Sequence, residues 1–270
     1  MAKPGGTITP PYNRPKQHTA EEEALIREVF PKYFYRYGWE EVYRRIRERG
    51  YKRSFSGMVY AAKRMKLLWE VENKQKSRNN DRRFPELSYP GEKVQVDVKE
   101  VPYNCLRGEL RRDGKHLYQW TAIDECTRYR FIYIFEEHTP ENSVRFVKML
   151  KKAFPFKIQT IQTDNGTEFT YKYISETEEC PLDTLLQAMG IQYKLIPPRT
   201  PWHNGKVEQS HRNDQRYFYD WEHFRTIEQA NTKLKEYLTW SNSKPMRTLA
   251  HKSPVELLEE KLFDIVTHNP

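Results

Sequence analysis

The sequence predicts an α/β layer fold, a mixed sheet flanked by helices, preceded by a small all-helical unit. Helical periodicity runs through the first 70 residues, a polar Pro-punctuated stretch follows, and strand-like alternation then interleaves with helical segments. The 270 residues are 37% hydrophobic and 14% aromatic, enough to bury a core, while 31% are charged. No apolar run is long enough to cross a bilayer, and the start MAKPGGTITPP lacks an apolar signal region. A cytoplasmic protein with no membrane partner is the expectation.

Charge is unevenly placed. Residues 1–88 hold 20 Lys/Arg against 11 Asp/Glu, whereas residues 89–270 hold 26 of each, so the whole excess of +9 lies in the first third. Such a concentration suits a phosphate backbone; a merely solvated basic surface is the alternative. Cys105, Cys126 and Cys180 are odd in number, scattered and without a CxxC pair, which argues against a disulfide framework or a cysteine zinc site.

Residues 1–18 read as an extended arm and residues 19–70 as a helix-turn-helix domain. Thr19 opens the first helix, with Glu22 three residues on in a capping-box pattern, and Leu25, Ile26, Val29 and Phe30 form its apolar stripe. Pro31 is expected to kink or end it. A second helix spans Trp39 to Arg49 with Val42 and Ile46 inward, and Gly50 is placed to stop it. Ser54 or Ser56 caps a third helix through Met58, Val59, Ala62 and Met65. Between Glu41 and Lys66 there are nine basic residues against two acidic ones. A third helix of this kind would enter the major groove, with Arg44, Arg45, Lys52, Arg53, Lys63 and Arg64 as candidate DNA contacts. Residues 71–90 read as a linker, and no internal repeat is visible.

From residue 91 strands dominate. Val94, Val96 and Val98 alternate in a first strand; Leu117–Ile123 and Arg130–Phe135 form two more, joined by the polar DECTRY segment. A helix over Glu141–Phe154, a strand over Lys157–Thr163, a helix over Pro181–Met189 stopped by Gly190, a strand in IQYKLIP and a helix over Trp202–Tyr219 complete the core, assigned to residues 91–245. Residues 246–270 form a helical tail.

Three carboxylates stand out by position. Asp97 interrupts the first strand between two valines, Asp164 ends the fourth strand just before an Asn-Gly turn, and Glu208 falls within the helix after PPRTPWHNG. An acid inside an apolar strand is costly unless it is paired or holds a metal, and strand ends are where α/β sheets place ligands. Each also has an ordinary reading: a solvent-facing strand residue, a turn residue and an exposed helix charge.

The segments VQVDVKEV, IQTDNGTEF and PPRTPWHNGKVEQSHR resemble the three signature blocks of insertion-sequence transposases with a retroviral-integrase-type catalytic core. The TAIDECTRYRF hairpin and the closing LAHKSP segment extend the resemblance over residues 90 to 258. It implies a ribonuclease-H-like fold, an Asp97/Asp164/Glu208 triad holding two Mg²⁺ ions with Mn²⁺ able to substitute, and cleavage and strand transfer of double-stranded DNA by a dimer or larger assembly. Two divalent ions stabilise both the attacking and the leaving oxygen of an in-line displacement, and oxygen ligands suit these metals. Asn165, Gly166 and Glu168 would support Asp164, and His203, Asn204 and Gly205 are expected as a mobile loop before the catalytic helix. Lys99, Lys206, His211 and Arg212 are candidate DNA contacts, with a Glu208–Arg212 ion pair as the competing role, and Asp124 is read as a structural turn residue. A DNA-binding regulator with an inactive core, or a nuclease acting on RNA–DNA hybrids, are the alternative functions.

The chain departs from its relatives in two places. Asp164 and Glu208 lie 44 positions apart, longer than the commonest family spacing, with the extra residues placed between Tyr171 and Pro181. Residues 1–88 hold one histidine, His18, and no cysteine, so they lack the zinc module of retroviral integrases; bacterial relatives often carry two helix-turn-helix units, and this chain is expected to begin at the second.

Overall fold

A computed structural model describes residues 17–68, 87–172, 174, 175, 178–197 and 200–268. The extended arm up to residue 16, most of the linker, and residues 173, 176 and 177 of the longer loop lie outside the described residues. The chain divides into two units, residues 1–77 and 78–270.

The first unit contains α1 (Ala20–Glu48) and α2 (Phe55–Arg64). Thr19 and Glu22 form the anticipated capping box, and Ser54 rather than Ser56 caps α2 by accepting from Gly57 N at 3.2 Å. The break in α1 falls not at Pro31 but at Gly38, whose φ of 81° leaves the helical region. Pro31 removes one helical hydrogen bond, which a helix can absorb, whereas a positive φ reverses the chain direction and is cheap only for glycine. The unit therefore does comprise three helical segments. Ile26, Val29 and Phe30 meet Val42, Ile46, Met58 and Ala62 in a common core.

The second unit is built on a five-stranded sheet of β1 (Val94–Glu100), β2 (Tyr118–Asp124), β3 (Arg130–Phe135), β4 (Thr160–Thr163) and β5 (Gln192–Leu195), in spatial order β3-β2-β1-β4-β5. β1, β2 and β3 pair antiparallel, while β4 and β5 extend the sheet in parallel. Around it lie α3 (Glu109–Arg112), α4 (Pro140–Ala153), α5 (Pro181–Ala188), α6 (Gly205–Asp214), α7 (Ile227–Ser243) and α8 (Pro254–His268).

Period-two alternation gives the sheet two unlike faces. Val94, Val96, Trp120, Ala122 and Phe135 face Phe146, Val147 and Leu150 of α4 and Leu182 and Leu186 of α5, forming an apolar core. The opposite face presents Gln95, Asp97 and Lys99 from β1 and Gln119 and Thr121 from β2, in the register Asp97↔Thr121 and Lys99↔Gln119. On β3 the same face adds Arg130, Ile132 and Ile134, the last two packed with Leu234 and Tyr237 of α7.

Neither α3 nor α7 is legible as a separate element in the sequence. α7 covers the outer edge of β3 with two amide side chains. Asn231 bonds both backbone groups of Ile134 at 2.9 and 3.0 Å, and Asn242 bonds both of Arg130 at 3.0 Å each. An edge strand left unpaired invites association, and these amides satisfy its donors and acceptors. No helix among the described residues is long and apolar enough to cross a membrane.

Candidate active site

β1 and β4 run parallel with Val94↔Ile161 and Gln95↔Gln162, and continuing that register by two residues brings Asp97 level with Asp164. Past β4 the chain turns: Gly166 N donates to Asp164 Oδ1 at 3.1 Å, and Asn165 Nδ2 donates to Ile196 O at 3.0 Å, tying the turn to the end of β5. A Cβ on Gly166 would stand within 2.6 Å of the Glu168 carboxylate, so any side chain there has to displace that carboxylate. Glu168 is buried and lies 2.9 Å from His138 Nε2, and His138 stacks on Tyr118.

Glu208 is carried by α6, whose ends are fixed to the polar face of the sheet. At the N-terminal end, Gln95 Nε2 and Gln162 Nε2 both donate to His203 O at 2.9 Å, and Gln95 Oε1 accepts from Val207 N at 3.1 Å. The His203–Gly205 segment, expected as a mobile loop, is instead the end of a 3₁₀ turn (Pro201–Asn204) running into α6, because two adjacent strands hold the same carbonyl and Asn204 is buried. Lys206 Nζ donates to Glu125 O at 3.1 Å and Oε2 at 3.2 Å, and Lys93 pairs with the same carboxylate.

At the C-terminal end Asp214 is fully buried against Arg130 at 2.8 Å, and it also accepts from Gln119 Nε2 at 2.9 Å and Tyr237 Oη at 2.8 Å. Burial works against the Asp214 charge, but Arg130 holds its carboxyl below the usual range. A buried ion pair with its remaining valences filled is tolerable in a core; a lone partner is not.

Asp97 is buried and feels the charges of its acidic neighbours. Burial, then Asp164, and then Glu208 and Glu168 push the Asp97 carboxyl up from 3.8 to about 8, against a stabilising bond from the Val98 amide. His211, three residues after Glu208, lies with Nδ1 3.5 Å from Asp97 Oδ2 and Nε2 3.0 Å from Thr121 Oγ1. Burial, with Lys99 and Arg130 nearby, lowers the His211 imidazole to about 4, against the pull of Asp214. Both shifts favour the uncharged forms, which weakens any ion-pair character of this contact.

The remaining residues flagged in the sequence fall into three groups. Asp124 is structural: it is buried and accepts from Gly91 N, Thr127 N and Thr127 Oγ1 at 2.7–2.8 Å. Lys99 is half-buried with Nζ 4.6 Å from the centre of the Tyr219 ring, Lys206 is engaged by Glu125, and Arg212 turns to Gln209 Oε1 at 2.6 Å instead of pairing with Glu208. In the helical unit Arg44 and Arg45 pair with buried Glu41, Arg53 with Glu22 and Arg64 with Glu23, while Lys52 and Lys63 are exposed and outside any ion pair among the described residues.

Gln95, Gln162, Glu125, His138 and the Arg130–Asp214 pair were not singled out from the sequence. Gln95 carried the same signal as Asp97, a polar residue alternating with valines on a strand.

The donor set suits hard divalent cations. Asp97, Asp164 and Glu208 offer only carboxylate oxygens, and the Asp97 charge is opposed by its neighbours in a way a cation would relieve. Among the described residues no three His, Cys, Asp or Glu side chains are already drawn together around an ion-sized space. That is compatible with magnesium, which keeps several waters and takes substrate phosphate oxygens rather than a closed protein cage.

Two integrase core domain families match the chain, over residues 88–201 and 189–254. The chain is 28% identical over 192 residues to "Putative integrase ORF3" of Spiroplasma virus SpV1-C74, covering 62% of this chain and 53% of that protein. It is 32% identical over 95 residues to the retrovirus-related Pol polyprotein from transposon RE1 of Arabidopsis thaliana, covering 34% of this chain and 6% of the polyprotein. The match thus spans about half the length of the viral relative and a small part of the polyprotein. A chain of the simian T-cell lymphotropic virus intasome superposes with a TM-score of 0.52 at 14% identity, covering 75% of this chain and 69% of that one. At that identity the likeness establishes the fold, which is ribonuclease-H-like. The two family matches overlap at residues 189–201 and together span residues 88–254, so this part of the chain is an integrase core domain of the retroviral-integrase-like transposases and integrases.

Proposed function

We propose that the chain is a DNA transposase or integrase that cleaves DNA strands and joins the exposed ends to target DNA, with Asp97, Asp164 and Glu208 as its catalytic carboxylates. The observation that carries this reading is a buried acid, Asp97, level with Asp164 on the neighbouring parallel strand and beside the anchored helix of Glu208; burial first, and then the charges of Asp164 and Glu208, push its carboxyl to about 8. Asp97, Asp164 and Glu208 would hold two magnesium ions, with Mn²⁺ able to substitute, which when bound would supply charge stabilisation at the attacking and leaving oxygens.

The chain's own residues do the rest. In this reading Asp97 from the middle of β1 and Asp164 just past the end of β4 offer their oxygens from neighbouring strands, and Glu208 is offered from α6. Gln95, Gln162 and the Arg130–Asp214 pair keep α6 from shifting, which matters because a displacement of about 1 Å at a reacting centre costs roughly a hundredfold in rate. Neutral His211 packs beside Asp97 without competing for a cation. Water displaces a strand at a phosphodiester to leave a 3′-hydroxyl, and that hydroxyl then attacks a phosphodiester of target DNA with its bridging 3′-oxygen leaving; no covalent enzyme intermediate is needed. In this reading residues 19–70 bind the duplex, 71–90 link, 91–245 carry the chemistry, and 246–270 form a helical tail. Holding two element ends together calls for a dimer or larger assembly.

The test is an assay with labelled duplexes of the element's own ends in Mg²⁺. Nicked products ending in a 3′-hydroxyl, followed by joined products, support the reading. Retained DNA binding with neither product in Mg²⁺ or Mn²⁺ would count against it and favour a regulator.

A further inference from the structure

Beyond the triad, the elements that carry Asp97 and Glu208 lead into a second basic surface. After β1 the chain makes a 3₁₀ turn at Tyr103–Cys105, and after α6 a π-helical turn at Gln215–Tyr219. The two following segments meet in a parallel bridge, Leu106↔Phe224. Arg107 N donates to Phe224 O at 2.8 Å and Phe224 N donates to Cys105 O at 2.9 Å, and both Leu106 and Phe224 are buried. The bridge sets Arg107 beside Arg225.

Together with His223, Gly108 and Gln229 these arginines line an open cavity of about 510 Å³. Gly108, at a φ of 61°, supplies the left-handed turn beside the Arg225 stem. Arg107 Nη1 donates to Asn104 O at 2.6 Å and Leu106 O at 2.8 Å, which orients the guanidinium without neutralising it. Among the described residues no carboxylate pairs with Arg107, His223 or Arg225, whereas Arg44, Arg45, Arg53, Arg64 and Lys206 each have one. Two uncompensated guanidiniums converging on one open cavity match phosphate oxygens, which arginine grips bidentately.

We infer that Arg107, Arg225 and His223 form a phosphate-binding surface that holds the DNA backbone to one side of the scissile phosphodiester. The inference rests on the chain acting on DNA. Arg107 follows the turn after β1, and Arg225 follows the π-helical turn that continues α6, so the surface is built on extensions of the two elements that carry Asp97 and Glu208. A surface of this kind contacts backbone and adds affinity without reading sequence.

The test measures affinity for a random-sequence duplex against salt concentration, for the full chain in Ca²⁺. Each phosphate contact contributes about 0.9 to the slope of log K on log salt, so Arg107→Ala/Arg225→Ala is expected to lower the slope by about 2 and the affinity at least tenfold. Arg225→Lys retains a charge and is expected to restore most of that residue's share. Arg107 also ties down its own turn, so Arg225→Glu alone, at an exposed side chain without a partner, serves if the double variant fails to fold. A wild type that binds DNA together with variants of unchanged slope overturns this surface alone. A wild type with no salt-dependent affinity for DNA overturns the proposed function and the surface with it.

Discussion

Replacing Asp97 with Asn should make the metal-free protein more stable while removing its chemistry. The Asp97 side chain is 17% exposed, and its carboxyl is pushed from 3.8 to about 8. A folded-state value above the unfolded one means the group favours folding when protonated, so this contribution is complete below the unfolded value and is lost as pH rises toward 8. Ionising it in the fold costs up to about 6 kcal/mol at ~1.4 kcal/mol per pH unit. Side-chain rotation and water entry reduce that to roughly 2–3 kcal/mol, since effective protein dielectrics are high. Asn keeps the shape and removes the charge. In a domain of this size the gain is a rise in Tm of about 5–10 °C at pH 8–9, shrinking to nothing near pH 4. Differential scanning calorimetry in EDTA at three pH values measures it. Adding Mg²⁺ should raise the wild-type Tm and leave the variant where it is, narrowing the gap. A variant that melts at or below the wild type at every pH would refute the electrostatic reasoning.

Further perturbations test the supports of the site. Arg130→Met leaves Asp214 charged and buried without its partner and should cost about 3–5 kcal/mol by urea unfolding, whereas Arg130→Met/Asp214→Leu should recover most of it. Because the Asp214 carboxyl is depressed, wild-type stability should fall as pH drops below the ordinary aspartate range, and this share of the acid sensitivity should be missing in the double variant. Gly166→Ala drives a methyl into the Glu168 carboxylate and should cost roughly 1–3 kcal/mol, with Glu168→Ala relieving the clash in the double variant. Gln95→Leu removes the bonds to His203 O and Val207 N, and amide hydrogen exchange over residues 203–208 should accelerate while the sheet stays protected.

What was legible in the sequence was local. The Val94, Val96, Val98 alternation places β1 and puts Asp97 on the opposite face, because side-chain direction in a strand depends on parity alone. The Asn-Gly turn after Asp164 and the capping residues Thr19 and Glu22 are likewise decided by neighbours in the chain. Partners distant in sequence were not legible. Lys206 reads as a free cation until Glu125 is folded against it, and Arg53 and Arg64 find their carboxylates, Glu22 and Glu23, 31 and 41 residues away. α7 was hidden because its inward positions include Asn231 and Asn242, whose amides serve a strand edge and dilute the apolar pattern. Pro31 is the louder helix breaker in a sequence, yet Gly38 is where the backbone leaves the helix. The anchoring of His203 needs Gln95 and Gln162 on adjacent strands, a coincidence that only the sheet order creates.

The most direct measurement is the two-step assay, cleavage of a labelled element end and its joining to target, run in Mg²⁺ with Asp97→Asn, Asp164→Asn and Glu208→Gln beside the wild type, each with its Tm and DNA affinity recorded. The expected result is that every variant folds, binds DNA and loses both steps by at least about a thousandfold, the scale seen when one element of preorganised charge stabilisation is removed. A folded, DNA-binding variant of any of the three that still cleaves and joins near the wild-type rate would contradict the assignment of the triad.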